Sequence, residues 1–300
     1  MIELPFARDE YQQRLRKIRI EMAKRGLELL IVNDVANQHY ITGYDGWSFY
    51  TPQLVLVPVE EVEPVWIGGA MGCGRRSSDG LDETGERGWL SGGPCSACRS
   101  PSHGLDRKAA QIAGSPDFAG DITALPPTIL GGENASAPHI MWSDRRFGDN
   151  ETIALELAGV CRRYAAGLAR TMQLGKTPTN VSDTAKAVIE GMDAVLDAVR
   201  PGTSAEAVEA AWRKVIQRYG LKKESRIGYS IGVAYPPDWG EHTISLRPGD
   251  KTVLEPGNVV HSILGMWMDG WGIEISETIL VTATGNETLT RFPRDIHVKS

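Results

Sequence analysis

Along the first quarter of the chain, apolar positions recur first at helical and then at strand period. Tyr11, Leu15, Ile18 and Met22 are spaced 4, 3 and 4 apart. This is one stripe of an amphipathic helix, with Arg14, Lys17 and Lys24 off it. Gly26 supplies the stop. Leu29-Leu30-Ile31-Val32 reads as a buried strand with Asn33-Asp34 as its exit turn, and a strand pair over 53–57 and 64–67 follows. A helix followed by strands opens an α/β domain.

The pattern resumes further on. Residues 124–130 read as extended, since Pro126-Pro127 blocks a helix. Residues 152–159 and 170–175 fit two antiparallel strands joined around Cys161-Arg162-Arg163. An Ala-rich helix over 182–199 ends before Pro201-Gly202. Thr203-Ser204-Ala205-Glu206, a capping-box pattern, opens a second helix that runs to Tyr219-Gly220. Strands return over 259–264 and 274–282. Strands, two helices and strands again describe an α+β domain.

Between these parts, residues 72–107 are dense in Gly, Arg, Ser, Pro and Cys and show no apolar period. Such a mixture is what GC-rich coding sequence yields when read out of frame, so the segment suggests a frameshift with a deletion. Cys95-Ser96-Ala97-Cys98 has the spacing of half a zinc site, but Cys73 and His103 complete it only by improvised geometry. The predicted division is an N-terminal domain over 1–110, truncated and anomalous over 72–110, and a catalytic domain over 111–300.

Composition narrows the function. A chain of 300 residues, 41% hydrophobic and 23% charged, is long enough for two globular cores. A net charge of −6 provides no basic excess for a nucleic-acid backbone. Residues 1–10 lack the apolar core of a signal peptide, and no apolar run is long enough for a membrane span, so a cytoplasmic protein without nucleic-acid or membrane partners is expected.

Three clusters carry candidate chemistry. Thr42-Gly43-Tyr44-Asp45-Gly46-Trp47-Ser48-Phe49-Tyr50 puts aromatics around two glycines, and Ala135-Ser136-Ala137-Pro138-His139-Ile140-Met141-Trp142 contains a histidine beside a tryptophan. In the C-terminal half, Tyr229, Tyr235, Trp239, Trp267 and Trp271 alternate with Asp238, Asp269 and Glu274. Aromatic faces with carboxylates suit a small organic cation, although a Trp-rich core with solvated acids uses the same residues.

Leu254-Glu255-Pro256-Gly257, the Arg170-Thr171 strand and Gly272-Ile273-Glu274-Ile275-Ser276-Glu277-Thr278 resemble the signature strands of the creatinase/aminopeptidase "pita-bread" group. The strings over 43–50, 135–142, 228–240 and 267–277 are specifically similar to ectoine hydrolases. The resemblance covers about 1–71 and 111–300. It implies a pita-bread catalytic domain, here lacking its first helix, behind a shortened creatinase-like N-terminal domain. It also implies a homodimer.

In the peptidases of this group, two Asp, one His and two Glu hold two metal ions. Carried over, those positions fall on Glu156, Gly167, Ser230, Ile263 and Ser276. One remaining carboxylate does not hold a dinuclear centre, so no metal and no cofactor is expected. The resemblance then implies metal-independent opening of a cyclic amidine, ectoine to N-acetyl-2,4-diaminobutyrate, with Glu156 as nucleophile and His139 as proton shuttle. Glu274 and Glu277 would orient water or the amidinium. Tyr44, Trp47, Trp142, Tyr229, Tyr235, Asp238, Trp239, Trp267 and Trp271 would enclose ectoine or a related solute. Tyr164-Ala165-Ala166-Gly167-Leu168 departs from the family's Tyr-His-Cys-Pro-Leu. A creatinase-type amidinohydrolase and a degenerate, non-catalytic relative stay open as alternatives.

Overall fold

The computed structural model describes residues 6–44, 53–68, 123–125, 127–140 and 145–299. The chain divides into two compact units, Met1–Ser100 and Pro101–Ser300. The anomalous stretch over 72–110, with Cys73, Cys95, Cys98 and His103, lies outside the described residues, as do Trp47 and Trp142.

In the first unit, α1 (Arg8–Lys24) lies on a three-stranded antiparallel sheet of order β1 (Leu29–Val32), β2 (Gln53–Pro58), β3 (Val65–Gly68). Leu15 and Met22 of the predicted stripe are buried against Val32, Val55 and Val57, with Ile18 packed beside them. Gly26, at φ 67°, ends the helix as expected. Two features differ from the sequence reading. Arg14 is buried rather than solvated, donating to Tyr40 O at 2.8 Å and pairing with Glu10 at 3.0 Å. Asn33-Asp34 does not leave the strand through a turn: Asp34 caps a further helix, α2 (Val35–Thr42), by accepting the Asn37 N–H at 2.8 Å.

On the other face of this sheet, apolar side chains are exposed, with no other described element of this unit packed over them. The register brings Ile31, Leu56 and Val65 side by side, and Leu54 beside Ile67. Leu29, Ile31, Val65 and Ile67 are about half exposed (47%, 60%, 48% and 48%). A layered α/β unit normally covers both sheet faces.

The second unit is a nine-stranded sheet with two helices packed against it. Its strands are β4 (Thr128–Gly131), β5 (Thr152–Cys161), β6 (Tyr164–Leu174), β7 (Gly228–Tyr235), β8 (Asp238–Ser245), β9 (Val259–Ile263), β12 (Ser276–Val281), β13 (Asn286–Thr288) and β14 (His297–Lys299). The order is β13-β12-β9-β7-β6-β5-β4, with β8 on β7 and β14 parallel to β6. A small hairpin, β10 (Met266–Met268) and β11 (Trp271–Ile273), projects before β12. The predicted hairpin of β5 and β6 turns at Arg162 and Arg163, both at positive φ.

Helices α3 (Thr179–Ala198) and α4 (Ala205–Arg218) bury Val188, Met192, Val208 and Trp212 in one core with Val260, Leu264, Ile275 and Ile279 from the β9–β12 region. The capping box predicted for α4 does not form. Ser204 is the N-cap and its side chain makes no capping bond. The Ala205 and Glu206 N–H groups instead donate to the Thr252 and Asp250 carbonyls, both at 2.9 Å. Tertiary partners have taken over the work of the local motif. Among the described residues no helix is long and apolar enough to cross a membrane.

The bare face of β1–β3 predicts a self-associating chain. Replacing Ile31 and Ile67 together with Lys should lower light scattering and hydrophobic-dye binding. The midpoint of thermal unfolding should hardly move, because each side chain is already half solvated and costs only about 0.5 kcal/mol to change. Unchanged scattering would mean that association arises elsewhere.

Candidate active site

Cross-strand partners share a face, so the sheet register shows which side chains meet. Glu156 pairs with Ala169, and Ala158 with Gly167. Tyr229 pairs with His261, His261 with Thr278, and Ile263 with Ser276. Register groups Glu156 with Gly167, and Tyr229 with His261, Ile263 and Ser276; the close approach of Gly167 to the His261 ring and the Ala169 N–H bond to Ser276 bring the two groups together.

His261 is the centre of this face. It is fully buried, and burial pushes its pKa down to about 3, so the ring is neutral near pH 7. Its Nε2 lies 2.8 Å from Ser276 Oγ and its Nδ1 lies 3.4 Å from the Tyr229 hydroxyl. Ser276 Oγ already accepts the Ala169 N–H at 2.6 Å, so its own proton is placed for Nε2. Trp239 Nε1 donates to the Tyr229 hydroxyl at 2.7 Å, and the Tyr229 and Trp239 rings both meet His261 edge to face. Gly167 completes the packing: a Cβ there would lie 2.8 Å from the imidazole. The loss of a side chain at 167 and the presence of the ring at 261 are two halves of one arrangement.

Of the carried-over ligand positions, Ser230 does not face this group. Its hydroxyl accepts the Thr243 and Ile244 N–H groups of β8, both at 3.2 Å. Strand alternation turns its neighbour Tyr229 toward Glu156 and His261 instead, so the carry-over at this point is corrected by one residue, to Tyr229.

Two carboxyls remain. Glu156, on β5, is buried, and that burial raises its pKa well above the usual carboxylate range. Glu274 sits in the link from β11 to β12. Its backbone is clamped by Thr171, which accepts the Glu274 N–H at 2.9 Å and donates to its carbonyl at 3.0 Å. Burial first, and the charge of Glu156 second, raise the Glu274 pKa, while Lys223 opposes the shift. Two such groups do not both ionise cheaply, so the site holds a proton near neutrality.

Glu277, read as a second-rank catalytic carboxylate, belongs to a closed network. It accepts from Arg170 and Arg294, each at 2.8 Å, and from the Thr290 hydroxyl. Arg170 spends its remaining donors on the Ala169, Ser276, Phe292 and Pro293 carbonyls. This network locks β6 to β12 and engages both oxygens of Glu277, so the carboxylate is committed to structure.

His139 is exposed at φ 59° and is not buried with the carboxyls. Tyr44 belongs to the first unit, where its ring packs 5.1 Å from Trp66. Tyr235 lies under Arg163, and Asp238 pairs with His242 at 3.0 Å. Trp271 packs against the core of α3 and α4. Trp267 carries the Lys223 ammonium 3.7 Å from its ring centre. Of the predicted residues, Glu156, Glu274, Tyr229 and Trp239 converge. His261 and Lys223 were missed; the only signal for His261 is a lone histidine inside the apolar strand Val259-Val260-His261.

A dinuclear metal centre does not fit these side chains. A neutral imidazole, hydrogen-bonded to Ser276, fills the space beside Gly167 where a ligand carboxylate would stand. Among the described residues no group of three or more His, Cys, Asp or Glu is arranged to hold a metal ion.

Comparison with known proteins places the chain. The model of metallopeptidase family M24 matches residues 103–283, and that of the creatinase/prolidase N-terminal domain matches residues 14–67. The first match begins inside the stretch read as foreign to the family, which corrects that reading for residues 103–110. Ectoine hydrolase of Halomonas elongata is 32% identical, with 99% of each chain covered. An uncharacterized hydrolase/peptidase of Sinorhizobium fredii is 31% identical with the same coverage. The Halomonas alignment runs to 397 positions against the 300 residues of this chain, so at least 97 (397 less 300) hold no residue of it. Dipeptidase PepE from Mycobacterium ulcerans superposes with a TM-score of 0.72 at 18% identity, covering 98% of this chain and 99% of its own. A prolidase from Thermococcus sibiricus gives 0.72 at 16%, covering 96% and 99%. The fold is thus the pita-bread architecture behind a creatinase-type N-terminal domain, and the chain belongs to metallopeptidase family M24, as a hydrolase similar to ectoine hydrolase.

Proposed function

We propose that this chain opens the ring of a cyclic amidine, ectoine or a close analogue, without a metal ion, giving an N-acetylated diaminobutyrate. The observation that carries this reading is the buried carboxyl of Glu156 on a face where a neutral His261 stands in the place of metal ligands. The similarity to ectoine hydrolase supplies the substrate class.

The chemistry asks little more of the side chains. A bound amidinium is a delocalised cation, and its approach favours the ionised form of Glu156. A Glu156 oxygen adds to the carbon between the two ring nitrogens. Water then cleaves the new ester linkage, and the carbon collapses to an amide as one ring C–N bond breaks. The departing nitrogen takes up a proton. Glu274, held protonated by burial and by the charge of Glu156, is the donor within the site, in place of the exposed His139. Tyr229 and Trp239 provide an aromatic wall on the side of Glu156. The 97 or more unfilled alignment positions favour a second reading, a relative that keeps the site but has lost turnover.

Glu156→Gln keeps shape while removing the attacking charge. Ectoine hydrolysis, followed by product chromatography, should fall by about three powers of ten or more while ectoine still binds. A variant retaining a large part of the activity would move the nucleophile to Glu274.

Purified chain should hold no stoichiometric manganese, cobalt, iron or zinc by elemental analysis, and activity should survive a chelator. Gly167→Asp restores one ligand type but drives a side chain into His261. It should cost about 1–3 kcal/mol of stability and gain no metal. Metal uptake by that variant would show that the imidazole is readily displaced.

His261 also sets an acid limit. Its folded pKa of about 3 lies below the ordinary value of about 6.5, so the unfolded chain binds the extra proton between them. Stability from this residue is complete above about pH 6.5 and is lost as pH falls toward 3. Denaturant midpoints measured across that window should fall with pH, and His261→Gln should flatten the dependence.

A further inference from the structure

The hydroxyl of Tyr229 meets two other side chains, and the direction of each hydrogen bond there follows from the partners. Ser276 Oγ accepts the Ala169 N–H at 2.6 Å. Among the described residues, the acceptor in reach of its own proton is His261 Nε2, at 2.8 Å. Nε2 is therefore bare, and the ring proton sits on Nδ1, which faces the Tyr229 oxygen at 3.4 Å. A doubly protonated imidazole would present a proton from Nδ1 as well, so this direction does not depend on the charge of His261. Trp239 Nε1 can only donate, and it donates to the same oxygen at 2.7 Å. Tyr229 thus accepts twice, and its own proton has no acceptor among the described residues. The ring that carries this hydroxyl is held in place. The Arg226 guanidinium lies 4.3 Å from its centre, and a Cβ at Gly240 would lie 3.3 Å from its edge. Tyr229 and Ala158 pack against one apolar cluster, and Ala158 follows Glu156 on the same face of β5.

We infer that Tyr229 is a catalytic residue of this site: its hydroxyl proton, committed to no acceptor in the protein, is held for the substrate. The inference rests on the reading of the chain as an amidine hydrolase with Glu156 as nucleophile. A bound amidinium offers only N–H donors, because the lone pairs of its nitrogens are shared with the carbon between them. When the Glu156 oxygen adds to that carbon, a C–O bond forms and the electron pair of the C=N bond moves onto one ring nitrogen. That nitrogen has then become an acceptor, and the Tyr229 O–H donates a hydrogen bond to it. No proton leaves the tyrosine, since a phenol stays protonated near neutrality. The proton that the departing nitrogen finally takes up comes from Glu274. This hydrogen bond exists in the transition state and not in the bound substrate, which is the condition for a donor to accelerate the reaction.

The hydrogen-bond direction is measurable without substrate. In the full chain with nitrogen-labelled histidine, long-range proton–nitrogen correlation should show His261 with its proton on Nδ1 and a bare Nε2. The signal is assigned by its absence from His261→Gln. A proton on Nε2 alone would turn the Tyr229 hydroxyl toward the imidazole and overturn the inference. For ectoine turnover, Tyr229→Phe should lower kcat by about tenfold to a hundredfold and leave KM within about twofold. A purely structural role predicts a loss carried by KM, or shared between KM and kcat. Either result, or an unaltered kcat, overturns the inference; the hydrolase reading then still stands if Glu156→Gln is inactive. If Nδ1 carries the proton but the unaltered chain leaves ectoine intact, the free donor stands, while the hydrolase reading and its use of that donor fall.

Discussion

Two buried carboxyls, Glu156 on β5 and Glu274 in the link before β12, set the terms for the rest of the second unit. Glu156 and Glu274 are both withdrawn from water, and a charge on the first disfavours a charge on the second. An ion left unpaired in such surroundings is expensive, so the neighbours must either neutralise it or leave it protonated. In the peptidases of the group, as the family resemblance implies, metal ions do the neutralising. Here the surroundings are a neutral imidazole, a tyrosine and a serine, which leave the two carboxyls to hold a proton.

Replacing metal ligands is not a matter of deleting them. A dinuclear site emptied of its ions would leave a void lined with polar groups, which costs stability. His261 removes that void. Its ring packs over Gly167, and both its nitrogens have hydroxyl neighbours in Ser276 and Tyr229. The same strands are held in register by the Arg170–Glu277–Arg294 network, where the guanidinium of Arg170 donates to five acceptors. Removing one partner would strand a buried charge. This gives Glu277 a structural reason to be present that owes nothing to substrate. The acid proposed to serve chemistry and the acid that serves structure stand three residues apart on one stretch of chain, distinguished only by what each touches.

The first unit shows the converse problem. Its sheet is built against α1, but among the described residues of this unit no layer covers the face with Ile31, Leu56 and Val65. Relatives of the same family align over about a hundred more positions than this chain can fill. A sheet with one apolar face bare is an adhesive surface, whatever the condition of the second unit.

The sequence by itself determined much of this. An apolar stripe at period 3.6 placed α1, an Ala-rich run ending before Pro201-Gly202 and a capping-box pattern marked the two later helices, and the extended runs joined around Cys161-Arg162-Arg163 marked the β5–β6 hairpin. Long unusual strings from Gly228 to Glu277 pointed to the family, and Glu156 stood out because the other ligand positions had lost their carboxylates and imidazole. Only the tertiary structure decided which of those residues act together. Asp34 reads equally as a turn or a cap until a helix forms behind it. Ser230 and Tyr229 are adjacent in sequence but face opposite ways on β7. Glu274 and Glu277 look alike as letters, yet only one is saturated by arginines. His261 and Lys223 come from an apolar strand and a polar loop with no motif around either, and each is placed by a distant partner, Gly167 and Trp267, 94 and 44 residues away. Periodicity records how each segment meets its own layer. It holds no record of which distant side chain closes over it, because that contact exists only once the strands have paired.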